Sequence, residues 1–143
     1  MVAPAYLFAG LLSWPAVVGL YRLRARGVEH LPEGGFVLAA NHTSNFDPWP
    51  LGIPLWPRRQ KGLRKKRVAR AHTGAARIAI GAKAPLVPAA IKGTDRLSRL
   101  GPLRVAFGEP LDLSDLSDLD VKHASEQATE RLMARIEELY ATL

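Results

Sequence analysis

Residues 21–26 alternate apolar and basic side chains, Tyr21-Arg22-Leu23-Arg24-Ala25-Arg26. A period of two predicts a half-buried strand. After the turn signal Gly34-Gly35, the run Phe36-Val37-Leu38-Ala39-Ala40 is apolar throughout. It predicts a strand buried on both faces. Pro48, Pro50, Pro54 and Pro57 leave room for at most one short helical turn between residues 47 and 57. Residues 72–82 carry Ala75, Ala76, Ile78, Ala79 and Ile80 and predict a helix of small residues. Residues 86–91 form a short apolar strand, which Pro88 confines to an edge, a bulge or a strand end. Residues 103–107 predict a further strand. An acidic linker follows from Asp112 to Asp120. Beyond it Val121, Ala124, Ala128, Leu132, Ile136, Leu139 and Leu143 recur at helical spacing, the mark of an amphipathic helix packed on the domain. No internal repeat interrupts this order. The expected fold is α/β, a mixed sheet with flanking helices.

The first 21 residues hold no charged side chain. Such a stretch reaches the roughly 20 apolar residues that a membrane helix needs. Trp14 and Tyr21 are types that favour the membrane interface, and Pro15 kinks any helix through it. A signal peptide fits poorly, because no basic region precedes the apolar stretch and no small-x-small site follows it. Residues 1–20 are therefore expected to be a membrane-associated segment, as a kinked span or a shallow interfacial helix. The plainer alternative is a helix packed on the domain. Arg22, Arg24 and Arg26 favour a cytoplasmic face for the domain at 21–143.

Composition narrows the chemistry. A chain of 143 residues with 48% hydrophobic content suits one folded domain. The absence of cysteine removes thiol nucleophiles, disulfides and thiolate metal sites. His30, His42, His72 and His123 are scattered without a His-x-x-x-His pair, so no metal is expected. The net charge of +7 favours an anionic partner. Residues 58–67 concentrate seven cations in ten positions, Arg58, Arg59, Lys61, Arg64, Lys65, Lys66 and Arg67. Residues 58–70 contain no aromatic for base stacking, so nucleic acid is not expected. Lipid headgroups and substrate phosphate suit the run better, each cation contributing roughly 1 kcal/mol near an anionic surface. A solvated loop is the plainer reading.

Directly after the buried run at 36–40 comes Asn41-His42-Thr43-Ser44-Asn45-Phe46-Asp47-Pro48. A strand that ends in polar residues presents them at the sheet edge, where α/β proteins place ligands. On a regular helix His42 and Asp47 would stand about 140° apart and not meet. A turn brings them together. Pro48 pushes Asp47 toward extended geometry and suits the first position of a helix, which makes Asp47 an N-cap. The Asp47 carboxylate can then accept from one imidazole nitrogen of His42 and leave the other free as a base. The competing reading is a polar turn, with Asp47 as a cap and Ser44 and Asn45 bonded to the backbone. Asn41-His42-Thr43 also matches a glycosylation sequon, which is set aside because it follows a buried strand.

The stretch from Gly27 to Pro48 resembles the first motif region of the glycerolipid acyltransferases, the 1-acylglycerol-3-phosphate acyltransferase family. That motif is Asn-His, four residues, then Asp, and it falls on Asn41, His42 and Asp47, with Ser44 at a commonly serine position. Residues 72–97 resemble the family's helix and proline-containing strand, with Val87, Pro88 and Ile91 as the matching residues. The resemblance covers roughly residues 21–60 and 61–110. It implies that His42 acts as general base on a glycerol hydroxyl, oriented by Asp47. The freed oxygen would attack the thioester of acyl-CoA or an acyl-carrier protein. Neither a cofactor nor a covalent acyl-enzyme is implied. The acceptor would be a membrane lysoglycerophospholipid, which puts the protein at the cytoplasmic face of a membrane. Asn41, Ser44, Arg58, Arg59, Lys61, Arg64 and Lys65 are the expected substrate-binding residues.

Two further family motifs, a Gly-x-x-Phe-Ile-x-Arg type and Phe-Pro-Glu-Gly-Thr-Arg, do not occur. The chain passes from Pro57-Arg58-Arg59-Gln60 straight into Lys61-Gly62-Leu63-Arg64. The resemblance therefore implies an internal deletion with its junction near 59–61, removing the central part of the domain. A phosphate held by flexible lysines and arginines lacks a fixed bidentate partner. Weak or absent catalysis is the expected consequence, with binding to membranes or anionic lipids as the alternative function.

Overall fold

The structure, a computed structural model, describes residues 4–41, 48–55, 68–70 and 73–143. Helix α1 (Pro4–Pro15) leads into a π-helical turn, Ala16–Leu20. The change of winding falls directly after Pro15, whose missing N–H interrupts the helical ladder. Then come strands β1 (Arg24–Arg26) and β2 (Val37–Ala40), helix α2 (Pro48–Gly52), strand β3 (Val68–Arg70) and helix α3 (Thr73–Gly81). Strands β4 (Leu86–Lys92) and β5 (Arg104–Phe107) precede the long helix α4 (Val121–Ala141).

Among the described residues five strands form one sheet in the order β1-β5-β4-β2-β3. The β4–β5 pair is antiparallel, and β1–β5, β2–β4 and β2–β3 are parallel. This is the mixed sheet expected from the alternation of strands and helices.

Both faces of the sheet are covered, which explains why β2 is apolar at every position. Leu38 and Ala40 join Leu31, Leu51, Leu55, Val87, Ile91, Val105 and Phe107 in one buried cluster. Val37 and Ala39 point the other way, to Ala75, Ala76 and Ala79 of α3 and Ala124, Ala128, Leu132 and Ile136 of α4. Alanine dominates that second layer, so the helices approach the sheet and each other closely. Asp120 caps α4, its side chain accepting from the N–H groups of Lys122 and His123. Such a cap satisfies donors that have no partner within the helix.

Three expectations are corrected. The strand expected over 21–26 shortens to Arg24–Arg26, and all three of its residues are exposed. Arg22 takes a left-handed backbone, φ 46, which breaks the extended run, and β1 lies at the sheet edge. Pro88 is not on an edge strand. It is buried in the middle of β4, between β5 and β2. On the β2 side the register aligns Ala39 with Pro88 without using its nitrogen, because Val37 donates to the neighbouring Pro85 carbonyl at 2.9 Å and sets the alternation. On the β5 side the register ends at Ala89–Phe107, and the last bond runs from the Gly108 N–H to the Pro88 carbonyl at 2.9 Å. The donor that proline lacks thus falls where one flanking ladder stops. A Cβ on Gly108 would stand 2.8 Å from Pro88 Cγ, so the glycine makes room for the ring. Finally, the acidic stretch 112–120 is structured, with a 3-10 turn over Ser114–Leu116 that buries Leu116. Arg131 of α4 holds it by a forked pair with Asp115.

Candidate functional site

The end of β2 is the best-defined part of the site. Asn41 follows Ala40, and its side-chain amide bonds the backbone of Ile91 twice. Nδ2 donates to the Ile91 carbonyl at 2.9 Å, and the Ile91 N–H donates to Oδ1 at 2.8 Å. Strand β2 ends at Ala40, opposite Ala89, while β4 runs on to Lys92. Ile91 would face an empty place in the ladder. The amide of Asn41 carries a donor and an acceptor in the geometry of a peptide group and fills that place. It therefore fixes where the chain leaves the sheet.

Residues 42–47 link this anchor to α2, which starts at Pro48 as expected of a proline at the first helical position. The short helix extends through a 3-10 turn, Ile53–Leu55, somewhat longer than the single turn expected. Leu51 and Leu55 bury in the same cluster as Leu38, Ala40 and Ile91. Asn41 on one side of residues 42–47 and α2 on the other are thus both tied to the core. His42, Ser44 and Asp47 lie outside the described residues, as do Arg58, Arg59, Lys61, Arg64 and Lys65 and the expected junction near 59–61. Of the expected site, Asn41 is the member whose partners are visible, and both polar ends of its side chain serve the sheet.

Among the described residues no group of three or more His, Cys, Asp or Glu is arranged to hold a metal ion. The described titration shifts lie elsewhere. At the start of α4 the His123 side chain bonds Asp120, which raises the imidazole pKa and lowers that of the carboxyl. Both groups are exposed, and their geometry is that of a helix cap.

Two features of this edge escaped the sequence reading. One is the Asn41–Ile91 pair, which joins residues 50 positions apart. The other is a lateral alignment of Arg24, Arg104 and Lys92 across three strands. Neither has a local signal, since both depend on strand order and register.

A mixed sheet covered on both faces, with a polar sequence motif directly after a buried parallel strand, defines an α/β domain. The same fold is found in the crystal structure of the 1-acyl-sn-glycerophosphate (LPA) acyltransferase PlsC from Thermotoga maritima. The TM-score is 0.56 at 15% identity, over 96% of this chain and 84% of that one. In sequence, 69 residues are 42% identical to the 1-acyl-sn-glycerol-3-phosphate acyltransferase of Bacillus subtilis (strain 168). That match takes in 46% of this chain and 35% of the relative, so it spans about a third of the relative's length. No family model matches. The fold and the partial sequence match bear out the resemblance to the glycerolipid acyltransferases.

Proposed function

We propose that this protein transfers a fatty acyl group from an acyl-CoA or acyl-carrier-protein thioester to a hydroxyl of a lysoglycerophospholipid, with 1-acyl-sn-glycerol-3-phosphate as the acceptor, in phospholipid biosynthesis. The observation that carries this reading is the Asn41-His42…Asp47 motif at the end of a buried strand, anchored by the Asn41–Ile91 pair. Asn41 is a positioning residue in this scheme, since it sets the exit of the segment that bears the base. His42 takes the hydroxyl proton, and Asp47 holds its ring and stabilises the imidazolium. The hydroxyl oxygen bonds the acyl carbon, the carbon–sulfur bond breaks, and the proton passes to the departing thiolate. A positioned base of this kind contributes about 10²–10⁴ in rate. The cations Arg58, Arg59, Lys61, Arg64 and Lys65, with Ser44, serve the acceptor phosphate. The motifs missing at the junction near 59–61 reduce turnover, because orientation supplies a large share of such rate enhancement.

The N-terminal segment supports a membrane location at the cytoplasmic face. Phe8, Leu11, Leu12, Trp14 and Leu20 are exposed along α1 and the turn after it. Among the described residues no helix is long and apolar enough to cross a membrane. The reading favoured is a helix lying in the interface, apolar side chains in lipid and Arg22, Arg24 and Arg26 near the headgroups.

Release of free coenzyme A from an acyl-CoA in the presence of lysophosphatidate tests the activity. Turnover in the wild type that falls at least about 10²-fold in His42→Ala supports it. Wild-type turnover no faster than the no-enzyme rate overturns it. The missing motifs favour one second reading, a catalytically inactive protein that binds anionic lipid. Co-sedimentation with anionic but not neutral vesicles, without coenzyme A release, is its signature.

A further inference from the structure

Three cations stand side by side at the sheet edge where β2 ends. The register aligns Lys92 of β4 with Arg104 of β5, and Arg104 with Arg24 of β1. Residues aligned across neighbouring strands point to the same face of a sheet. Here it is the face that carries α4, because Lys92 lies 5.2 Å from the centre of the Tyr140 ring and Arg104 donates to the Leu143 carbonyl at 2.6 Å. All three are exposed, and none pairs with an Asp or Glu side chain among the described residues. The row begins one residue beyond Ile91, the backbone that Asn41 holds. It therefore starts beside the point where β2 hands the chain to residue 42.

Like charges opposite one another on adjacent strands destabilise a sheet, and here three occur in succession. Glu137 and Glu138 lie in the last turns of α4 at this end, and Glu138 is engaged with Arg135. Asp95 is engaged with Arg96. Asp112, Asp115, Asp118 and Asp120 lie at the other end of the sheet, because β5 runs antiparallel to β4 and α4 returns with its C-terminus at Arg104. Positive charge thus gathers at the end of the sheet where β2 stops, on the face opposite α2. Adjacent strands are about 4.8 Å apart, so the row is about 10 Å long. Closely spaced guanidinium forks suit phosphate oxygens. Tyr140 and the Leu143 carbonyl already hold two of the three side chains, which lowers the ordering cost of binding.

We propose that Arg24, Arg104 and Lys92 bind the phosphate groups of a coenzyme A thioester. The proposal rests on the acyl-transfer reading above and adds to it the seat of the donor's polyanionic end. Isothermal titration of the full chain with coenzyme A tests it, with inorganic pyrophosphate as competitor. The double reversal Arg24→Glu/Lys92→Glu weakens binding at least tenfold, and added salt weakens the wild type more than this variant. Lys122→Glu, at the acidic end, binds as the wild type does. Arg104 is left intact because it also holds the end of α4. The milder Arg24→Ala/Lys92→Ala pair, with a melting curve matching the wild type, shows a smaller loss and separates binding from misfolding. Equal affinity in wild type and charge-reversed protein overturns the proposal. So does an equal loss in Lys122→Glu, or binding of a holo-acyl-carrier protein without binding of coenzyme A. Binding is read without turnover. A chain that binds coenzyme A through this row yet transfers no acyl group keeps the site and overturns the catalytic reading. A chain that turns over with unchanged affinity in the reversed variant does the opposite.

Discussion

Asn41 and Ile91 are joined by two hydrogen bonds through one side-chain amide, at 2.9 and 2.8 Å, so that a residue of β2's end completes the backbone pairing of β4. Removing that amide leaves a part-buried N–H and carbonyl without protein partners. Each such group costs about 1–3 kcal/mol. Asn41→Ala therefore lowers unfolding stability by about that amount or more, read from urea titration. Asn41→Asp retains an acceptor for the Ile91 N–H but loses the donor to its carbonyl, and falls between the two. Faster hydrogen exchange at the Ile91 amide in Asn41→Ala, with less change in Asn41→Asp, separates this role from a general loss of packing.

Gly27 sits at φ 74, with the carbonyl oxygen of Phe107 only 1.9 Å from where a Cβ would be built. The backbone conformation and the contact both exclude a side chain. Gly27→Ala is expected to destabilise by more than about 1 kcal/mol. Gly35 meets nothing within 4 Å, so Gly35→Ala shifts the thermal midpoint little. Similar losses in both variants would sink this account of Gly27.

Leu132 of α4 is fully buried among Ala76, Ala79 and Leu86, while Met133 beside it is exposed. Leu132→Ala leaves a cavity that small neighbours cannot fill, and costs about 2–5 kcal/mol. Met133→Ala stays within about 0.5 kcal/mol of the wild type. Chemical unfolding of the two variants side by side reads the difference.

The Asp120–His123 pair makes the start of α4 sensitive to pH. Its side-chain bond to Asp120 raises the His123 pKa, so that contribution is complete below about pH 6.5 and disappears as pH rises through the folded value. The bond to His123 lowers the Asp120 pKa, so its contribution is present above about pH 3.9 and is lost as pH falls through the folded value. Together they are strongest between those limits. The difference in melting temperature between wild type and His123→Ala should peak there and shrink at pH 9. A difference that does not vary with pH contradicts the assignment.

Much of the architecture was legible because burial writes itself into local pattern. The unbroken apolar run at 36–40 announced a strand covered on both faces, and β2 is covered on both faces. Helical spacing announced α4, although Val121 is exposed and Leu143 packs beyond the helix end. Pro48 marked the first residue of α2. Legibility failed where a residue's meaning depends on its neighbours in space. Pro88 reads as an edge residue by itself, yet it is central because β5 stops at the one bond it cannot make. The alternation over 21–26 reads as a half-buried strand, yet all three residues of β1 at the sheet edge are exposed.

By itself the sequence determined the α/β class, the buried strand and the polar motif at its end. Hydrophobic period, proline chemistry and motif spacing are properties of residues close along the chain. Only the tertiary structure decided that Asn41 pairs with Ile91 and that Arg24, Arg104 and Lys92 share one row. Those relationships follow from strand order and register, which are set by how distant segments bury their apolar faces together and which no local pattern records.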